Sequence, residues 1–431
     1  MARKMKDSGI EWIGEIPEGW EIKYFVQLFS QVKNKNIGLR EKNLLSLSYG
    51  KIKQKSIETV GGLLPDNFEG YNIIDRNDIV LRLTDLQNDQ HSLRVGLSPE
   101  RGIITSAYCS IRIRGAESPN YLYYYLHTFD IAKGFYGMGS GVRQGLNWDG
   151  LKYIKILLPP QHEQDRISVF LNQKTLEIDS MLSKTISSIE EYKKLKQAVI
   201  TQAVTKGVRG EREMKDSGVE WIGEIPVNWT IQRFARVAEV KSNLVSPDNY
   251  LEYPQISPEN IEKDSGKLLL PCRTVAEVGV ISGNHLFYKG QILYSKIRPK
   301  LNKVCIAPFD GLCSADMYPI ESKNDTRYIM YCILSNGFLQ QVSMITENRV
   351  KMPKINQVEL SKVLVAIPET IAEQKEIADY LDAKCTEIDG LIAKKEQLVK
   401  ELEGYKKSLI YEVVTGKREI FTDITRKFPN I

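Results

Sequence analysis

Two stretches of the 431-residue sequence gather side chains suited to holding a polyanion. LRLTDLQNDQHSLRVG, at 81–96, offers Arg82, Thr84, Gln87, Asn88, Gln90, His91 and Arg94. LYSKIRPKLNKVCIAP, at 293–308, offers Lys296, Arg298, Lys300, Asn302 and Lys303 around Pro299. Ammonium and guanidinium groups neutralise phosphates, while planar guanidinium and side-chain amide groups match the hydrogen-bonding edges of bases. Arg82 or Arg298 has the fork that guanine accepts, and Gln87 or Asn302 the amide that adenine pairs with. A solvated loop with ordinary surface charge has the same composition, so residue type leaves both readings open.

A second pair of loops lies further along. GMGSGVRQGLN at 137–147 joins Arg143 and Gln144 to four glycines that let a backbone approach a phosphate, and TENRVKMPK at 346–354 carries Arg349 and Lys351. Plain connectors would look alike, and no GxxxxGK[ST] phosphate loop is present. Tyr121, Tyr123, Tyr124 and Tyr125 have the faces to stack on bases, but Tyr121 and Tyr125 share one helical face with Leu122 and Phe129 nearby, the pattern of a core. Trp12, Trp20, Trp221 and Trp229 are read as structural anchors. Chemistry that makes or breaks bonds lacks its usual signs. The Asn-Pro-Pro-Tyr and Asp-Pro-Pro-Tyr motifs of amino-methyltransferases and a GxGxxG loop are absent, and Glu321-Ser322-Lys323 has nuclease-like ExK form without a second marked metal carboxylate. Six cysteines without a CxxC pair and four histidines without HExxH spacing predict no metal site.

The elements that must position these loops come in two copies. The run 161–207 is free of proline and internal glycine, with Ile167, Leu171, Ile178, Leu182, Ile189 and Val199 on one helical stripe. Shifted by 210 residues, the run 371–416 repeats it, with Ile377, Leu381, Ile388, Ile392, Leu402 and Leu409. About 44 helical residues span about 66 Å, beyond an ordinary globular helix, so the two are expected to pack lengthwise as a coiled coil. Tyr192, Val399 and Tyr405 are placed on the same stripes; Phe170, Met181 and Ile186 lie outside them and fit either a docking surface or a wider seam. MKDSGIEWIGEIPEGWEIKYF at 5–25 likewise returns as MKDSGVEWIGEIPVNWTIQRF at 214–234. Each unit thus reads as a Trp-Pro-Trp segment, a mixed block, a proline-marked exit and a long helix. The blocks, near 26–156 and 235–365, match poorly, as one scaffold carrying two specificities would. Strands are predicted at 79–83, 103–108, 110–113, 291–296 and 304–307, and helices at 121–129 and 328–335. If the N-terminal segment relates to the second helix as its copy does to the first, residues 1–20 lie beside residues near 415 and the protein is pseudo-twofold.

Composition bounds the rest. Lys plus Arg number 59 against 54 Asp plus Glu, a balance that permits a polyanionic partner without demanding one. No stretch reaches 18 apolar residues and no signal-peptide core opens the sequence, so a cytoplasmic protein with reduced thiols and no membrane association is expected.

The arrangement resembles the specificity subunit of type I restriction-modification systems. The likeness rests on both SGxEWIGEIPxxW segments, both exits into EQ-containing helices (Glu163-Gln164 and Glu373-Gln374), the AVTKG and VVTGK helix ends, and the block segments quoted above with GIITSAY and DGLCSAD. It implies an α/β (mixed α+β) architecture of duplicated DNA target recognition domains, each followed by a long helix, the helices packing as an antiparallel coiled coil with pseudo-twofold symmetry. The expected divisions are 1–158 and 208–366 for the recognition parts, 159–207 and 367–416 for the helices, and 417–431 for a tail. It further implies a bipartite duplex DNA target, with the helices as spacer and dock for two methyltransferase subunits, and motor-nuclease subunits that join them. S-adenosylmethionine, ATP and magnesium would belong to those partners, not to this chain. At about 3.4 Å per base pair the helix length bounds the separation at about 19 base pairs. Two other readings stand beside this one: a self-contained nuclease or methylase with fused DNA-reading domains, and a coiled-coil scaffold whose heads bind proteins.

Overall fold

The computed structural model describes residues 3–56, 67–89, 93–136, 138–139, 145–349 and 352–420. The chain forms two compact units, Met1–Lys184 with Leu398–Ile431, and Thr185–Gln397. The division falls inside both long helices, so each unit owns one half of each.

The helices occupy Gln161–Lys206 and Ile371–Val414. Pro159 and Pro160 end the preceding strand, and the Glu163 amide donates to the Pro160 carbonyl at 2.8 Å, opening the first turn. The pairing is antiparallel within each unit. In the first, Asp179 meets Lys406 and Arg166 reaches the carbonyl of Ile420; in the second, Lys196 meets Asp389 and Arg209 meets Glu376. Ile167, Leu171 and Ile178 share a buried cluster with Leu409, Ile410, Val413 and Val414, with Leu182, Leu402 and Phe170 half-buried at its margin. In the second unit Ile200, Ala203 and Val204 pack with Ile377, Leu381 and Cys385, and Val199 is half-buried against them. Ile189 and Ile388 are buried and Ile392 half-buried. Tyr405, expected on the stripe, is 48% exposed, and Met181 and Ile186 are also exposed.

The Trp-Pro-Trp segment and the proline exit prove to be one ribbon. A hairpin of Met5–Asp7 and Glu15–Pro17 leads to Glu21–Tyr24, which pairs antiparallel with Lys155–Leu158 just before the helix. Met214–Asp216, Glu224–Pro226 and Thr230–Arg233 repeat this against Leu364–Ile367. Trp20 and Trp229 are buried, and each indole N–H donates to a helix carboxylate, Glu163 at 3.0 Å and Glu373 at 3.2 Å. Arg3 and Arg212 complete these knots at 2.6 and 2.7 Å. The expected neighbours of residue 415 are in place: the Tyr411 hydroxyl donates to the Trp12 carbonyl at 3.1 Å, and Pro17 and Trp20 lie against Gly416.

Each block centres on a four-stranded antiparallel sheet of the same order. It runs Phe29–Gln31, Cys109–Ile113, Ile79–Leu81, Val95–Leu97 in the first and Ala238–Val240, Met317–Ser322, Ile292–Ser295, Val304–Ile306 in the second. The expected strand at 103–108 shortens to Gly102–Ile104, because Tyr108 closes a turn on Thr105 that sends the chain into the next sheet. Helices Pro119–Ile131 and Thr326–Leu334 cover the sheets. Tyr121, Tyr124 and Tyr125 are core residues as read from their spacing. The Tyr121 hydroxyl donates to carbonyls of Leu157 and Val414, and Tyr328 does the same to Ala366 and Val204. The expected helix at 328–335 is present as Thr326–Leu334, and directly after it the Ser335 hydroxyl accepts the Phe338 amide and starts a second helix, Asn336–Thr346, beyond the expected range.

Two buried groups on Pro119–Ile131 make the first unit sensitive to pH in opposite senses. Burial, with Lys406 and Lys407 nearby, pushes the His127 imidazole down to about 4. It stays neutral when folded but takes a proton near 6.5 when unfolded, so its contribution is full above pH 6.5 and is lost as pH falls toward 4. Burial pushes the Asp130 carboxyl up to about 6, against the pull of Arg94. The folded state then binds that proton first, and stability is gained as pH falls from 6 toward 4. His127→Phe should therefore gain about 2 kcal/mol relative to wild type between pH 7 and pH 5 in urea unfolding; a parallel pH profile for the two proteins would refute this.

Candidate nucleic-acid interface

The turn that carries the first candidates follows strand Ile79–Leu81. Arg94 is not on its surface. Its side chain is fully buried and its guanidinium donates to the carbonyls of Arg82 at 3.1 Å, Thr84 at 2.9 Å, Asp85 at 3.3 Å and Asp89, while Nε donates to the Tyr136 hydroxyl. The expectation that Arg94 contacts a ligand is corrected: a five-donor fork is what a loop with several inward carbonyls needs at its centre. Around this staple Thr84, Gln87 and Asn88 are exposed, and Arg82 is half-buried with Asp89 3.4 Å away. Asn88 donates to the Asp85 carboxylate at 2.8 Å, and Asp85 itself sits at φ +58°. Gln90 and His91 lie outside the described residues.

In the second unit the corresponding turn follows Ile292–Ser295 and contains the short 3-10 helix Pro299–Leu301. Arg298 and Asn302 flank it at φ +46° and +42°, conformations that cost a residue with a side chain about 1–3 kcal/mol unless its surroundings hold it. Here the Arg298 amide donates to Pro353 at 2.7 Å and the Asn302 amide to Pro299 at 2.9 Å. Arg298 and Lys300 are exposed, and Lys296 is half-buried over the Tyr318 ring at 5.3 Å. Asn302 is a second correction. It is 1% exposed, and its amide nitrogen lies 3.4 Å from the Leu334 carbonyl, so it closes the turn and does not present an amide outward. Lys303 is half-buried and donates to the Pro258 carbonyl at 2.6 Å.

In both units the two candidate loops meet. The Leu146 amide donates to the Leu83 carbonyl at 2.9 Å, and the Ile355 amide to the Lys296 carbonyl at 2.9 Å. The backbone frame is therefore the same, with Asp85 and Arg298 at matching strained positions, while the exposed side chains differ. Arg349 belongs to the frame more than to the surface: its guanidinium is engaged by Glu359 and by the Lys354 carbonyl. Arg143, Gln144 and Lys351 lie outside the described residues. Lys354, exposed and bridged to Ile297, joins the second surface without having been singled out by composition.

Among the described residues, no three or more His, Cys, Asp or Glu side chains are gathered as a metal ion would require, and no helix is long and apolar enough to cross a membrane. The described surface offers separate cations, amides and hydroxyls on hydrogen-bonded turns, an arrangement suited to binding.

Comparison with known proteins agrees with this geometry. A model of the type I restriction modification DNA specificity domain matches residues 226–401. The EcoDI specificity subunit of an Escherichia coli type I restriction enzyme is 34% identical over 279 residues, 61% of this chain and 62% of that protein, so the match spans less than two thirds of that relative. A putative type I restriction enzyme MjaX specificity subunit from Methanocaldococcus jannaschii is 25% identical, covering 95% of this chain and 96% of that one. A chain from a structure describing complex assembly and conformational transition of the type I R-M system superposes with TM-score 0.67 at 14% identity, covering 94% of this chain and 99% of that chain, which speaks for the fold. Duplicated framework, fold and matched domain point the same way: residues 226–401 match the type I restriction modification DNA specificity domain, and the chain is similar over most of its length to a type I restriction enzyme specificity subunit.

Proposed function

We propose that this chain is the DNA sequence-recognition subunit of a type I restriction-modification complex, reading a bipartite target with one half-site per block. The observation that carries the reading is the pair of joined loops, built on one backbone frame in both units and armed with different side chains. The first block offers neutral hydrogen-bonding groups, Thr84, Gln87 and Asn88, beside Arg82; the second offers Lys296, Arg298, Lys300 and Lys354. Two frames with unlike readouts suit two unlike half-sites. The chain itself is non-catalytic in this reading. Two methyltransferase subunits, using S-adenosylmethionine, each extrude an adenine from the stack, and motor-nuclease subunits use ATP and magnesium. The work is done where the DNA is, in the cytoplasm.

Purified chain should bind a duplex carrying both half-sites with an affinity that falls at least about tenfold between 50 and 200 mM salt. Arg298→Ala should weaken binding about 5- to 150-fold when its half-site is present and leave the other half-site unaffected. Affinity indifferent to salt would favour the protein-binding scaffold. Methylation or cleavage by the chain alone, given magnesium and S-adenosylmethionine, would establish the self-contained enzyme in its place.

A further inference from the structure

The two blocks share little sequence, yet each sends a lysine to the equivalent position on its own long helix. In the first unit strands Leu45–Ser48 and Lys51–Gln54 form a hairpin whose turn ends in Gly50-Lys51. In the second, a turn closed by the Ile261↔Leu268 bridge ends in Gly266-Lys267. Gly50 at φ +75° and Gly266 at φ +78° allow the chain to reverse directly before each lysine. Lys51 Nζ lies 3.1 Å from Asp179, and Lys267 Nζ lies 2.7 Å from Asp389.

These aspartates are images of each other, 210 residues apart, and each is already engaged by a lysine of the opposite long helix. Lys406 meets Asp179 at 2.5 Å, and Lys196 meets Asp389 at 2.9 Å. One carboxylate therefore holds two ammonium groups, one from the other helix and one from the block. Burial alone would raise the Asp179 carboxyl, but the two lysines together hold it below the usual aspartate range. The arrangement is asymmetric in exposure: Lys196 and Lys406 are 7% and 24% exposed, whereas Lys51 and Lys267 are 62% and 53% exposed. The inner lysines belong to the helix seam. The outer ones add little to stability, since exposed pairs contribute about 0.2–1 kcal/mol.

We propose that Lys51 and Lys267 are positioning residues that fix the attitude of each recognition block on the helix pair, and so the base-pair separation at which both half-sites are read. Two hairpins of different sequence and construction deliver the same group to equivalent carboxylates, at a point of contact worth little to folding. Adjacent base pairs differ by about 3.4 Å of rise, so a block free to shift by a few Å accepts the neighbouring gap lengths.

The inference rests on the DNA-reading function, and the test separates the two. The complex reconstituted with its methyltransferase is assayed on duplexes with the cognate gap and with gaps one base pair longer and shorter. Wild type should prefer the cognate gap; absence of any bipartite preference in wild type overturns the functional reading and this one with it. Given that preference, Lys51→Met and Lys267→Met should each reduce it at least tenfold, with half-site affinity changed less than twofold and the unfolding temperature nearly unchanged. Lys51→Arg and Lys267→Arg should restore it. Undiminished gap selectivity in both methionine variants overturns the proposal, as does a loss that merely tracks unfolding.

Discussion

Arg94→Met should destabilise the first unit by about 3–5 kcal/mol and abolish recognition by the first block while leaving the second intact. Removing one member of a buried charged network strands the groups it satisfied, and this guanidinium satisfies four backbone carbonyls and a tyrosine hydroxyl. Among the described residues, no other side chain of the loop that presents Thr84, Gln87 and Asn88 donates to as many of its carbonyls. Arg94→Lys should recover only part of the loss, because a single ammonium cannot span carbonyls arranged around a planar fork. Urea unfolding together with binding to separate half-site duplexes measures both effects. Were Arg94 a direct DNA contact, the methionine variant would bind weakly at unchanged stability.

The second large effect concerns the helix starts. Glu373 is 2% exposed, accepts from Trp229 and from Arg212, and stands in the first turn of its helix. Glu373→Ala removes the acceptor of a buried indole and of a half-buried guanidinium, together with a carboxylate favoured at a helix N-terminus, and should cost about 3–5 kcal/mol. Its image Glu163 is 19% exposed and its partner Arg3 30% exposed, so water compensates more of the loss and Glu163→Ala should cost about 1–2 kcal/mol. Thermal unfolding of the two variants should show the second unit weakened more than the first. The reverse order would contradict this account of burial.

Much of this design was legible before any coordinates. The long helices were marked by their apolar stripe and by the prolines and glycines at their ends. The ribbon was recoverable as two halves, 5–25 and the proline exit, although nothing in either half said that they pair, because pairing joins residues about 130 positions apart in a register that no local pattern encodes. The site was read less well. Arg94 and Asn302 have the right chemistry for DNA, but composition cannot tell an arginine that faces a phosphate from one that faces its own loop's carbonyls. The Gly-Lys pair shared by residues 50–51 and 266–267 has no meaning in the local sequence, since its role depends on Asp179 and Asp389 far along the chain. Tyr405 lies at the period of the seam and still faces outward, because heptad spacing marks a stripe and not its width.

The division of the two units along the chain sets an order of assembly. The second unit is one uninterrupted stretch, Thr185–Gln397, whereas the first is closed only by Leu398 onward. During synthesis the first block emerges earliest, yet the surface of Ile167, Leu171 and Ile178 waits uncovered until Leu409, Ile410, Val413 and Val414 arrive. The part made first is thus finished last, and through that interval the nascent chain carries an open apolar surface that its own far end later covers.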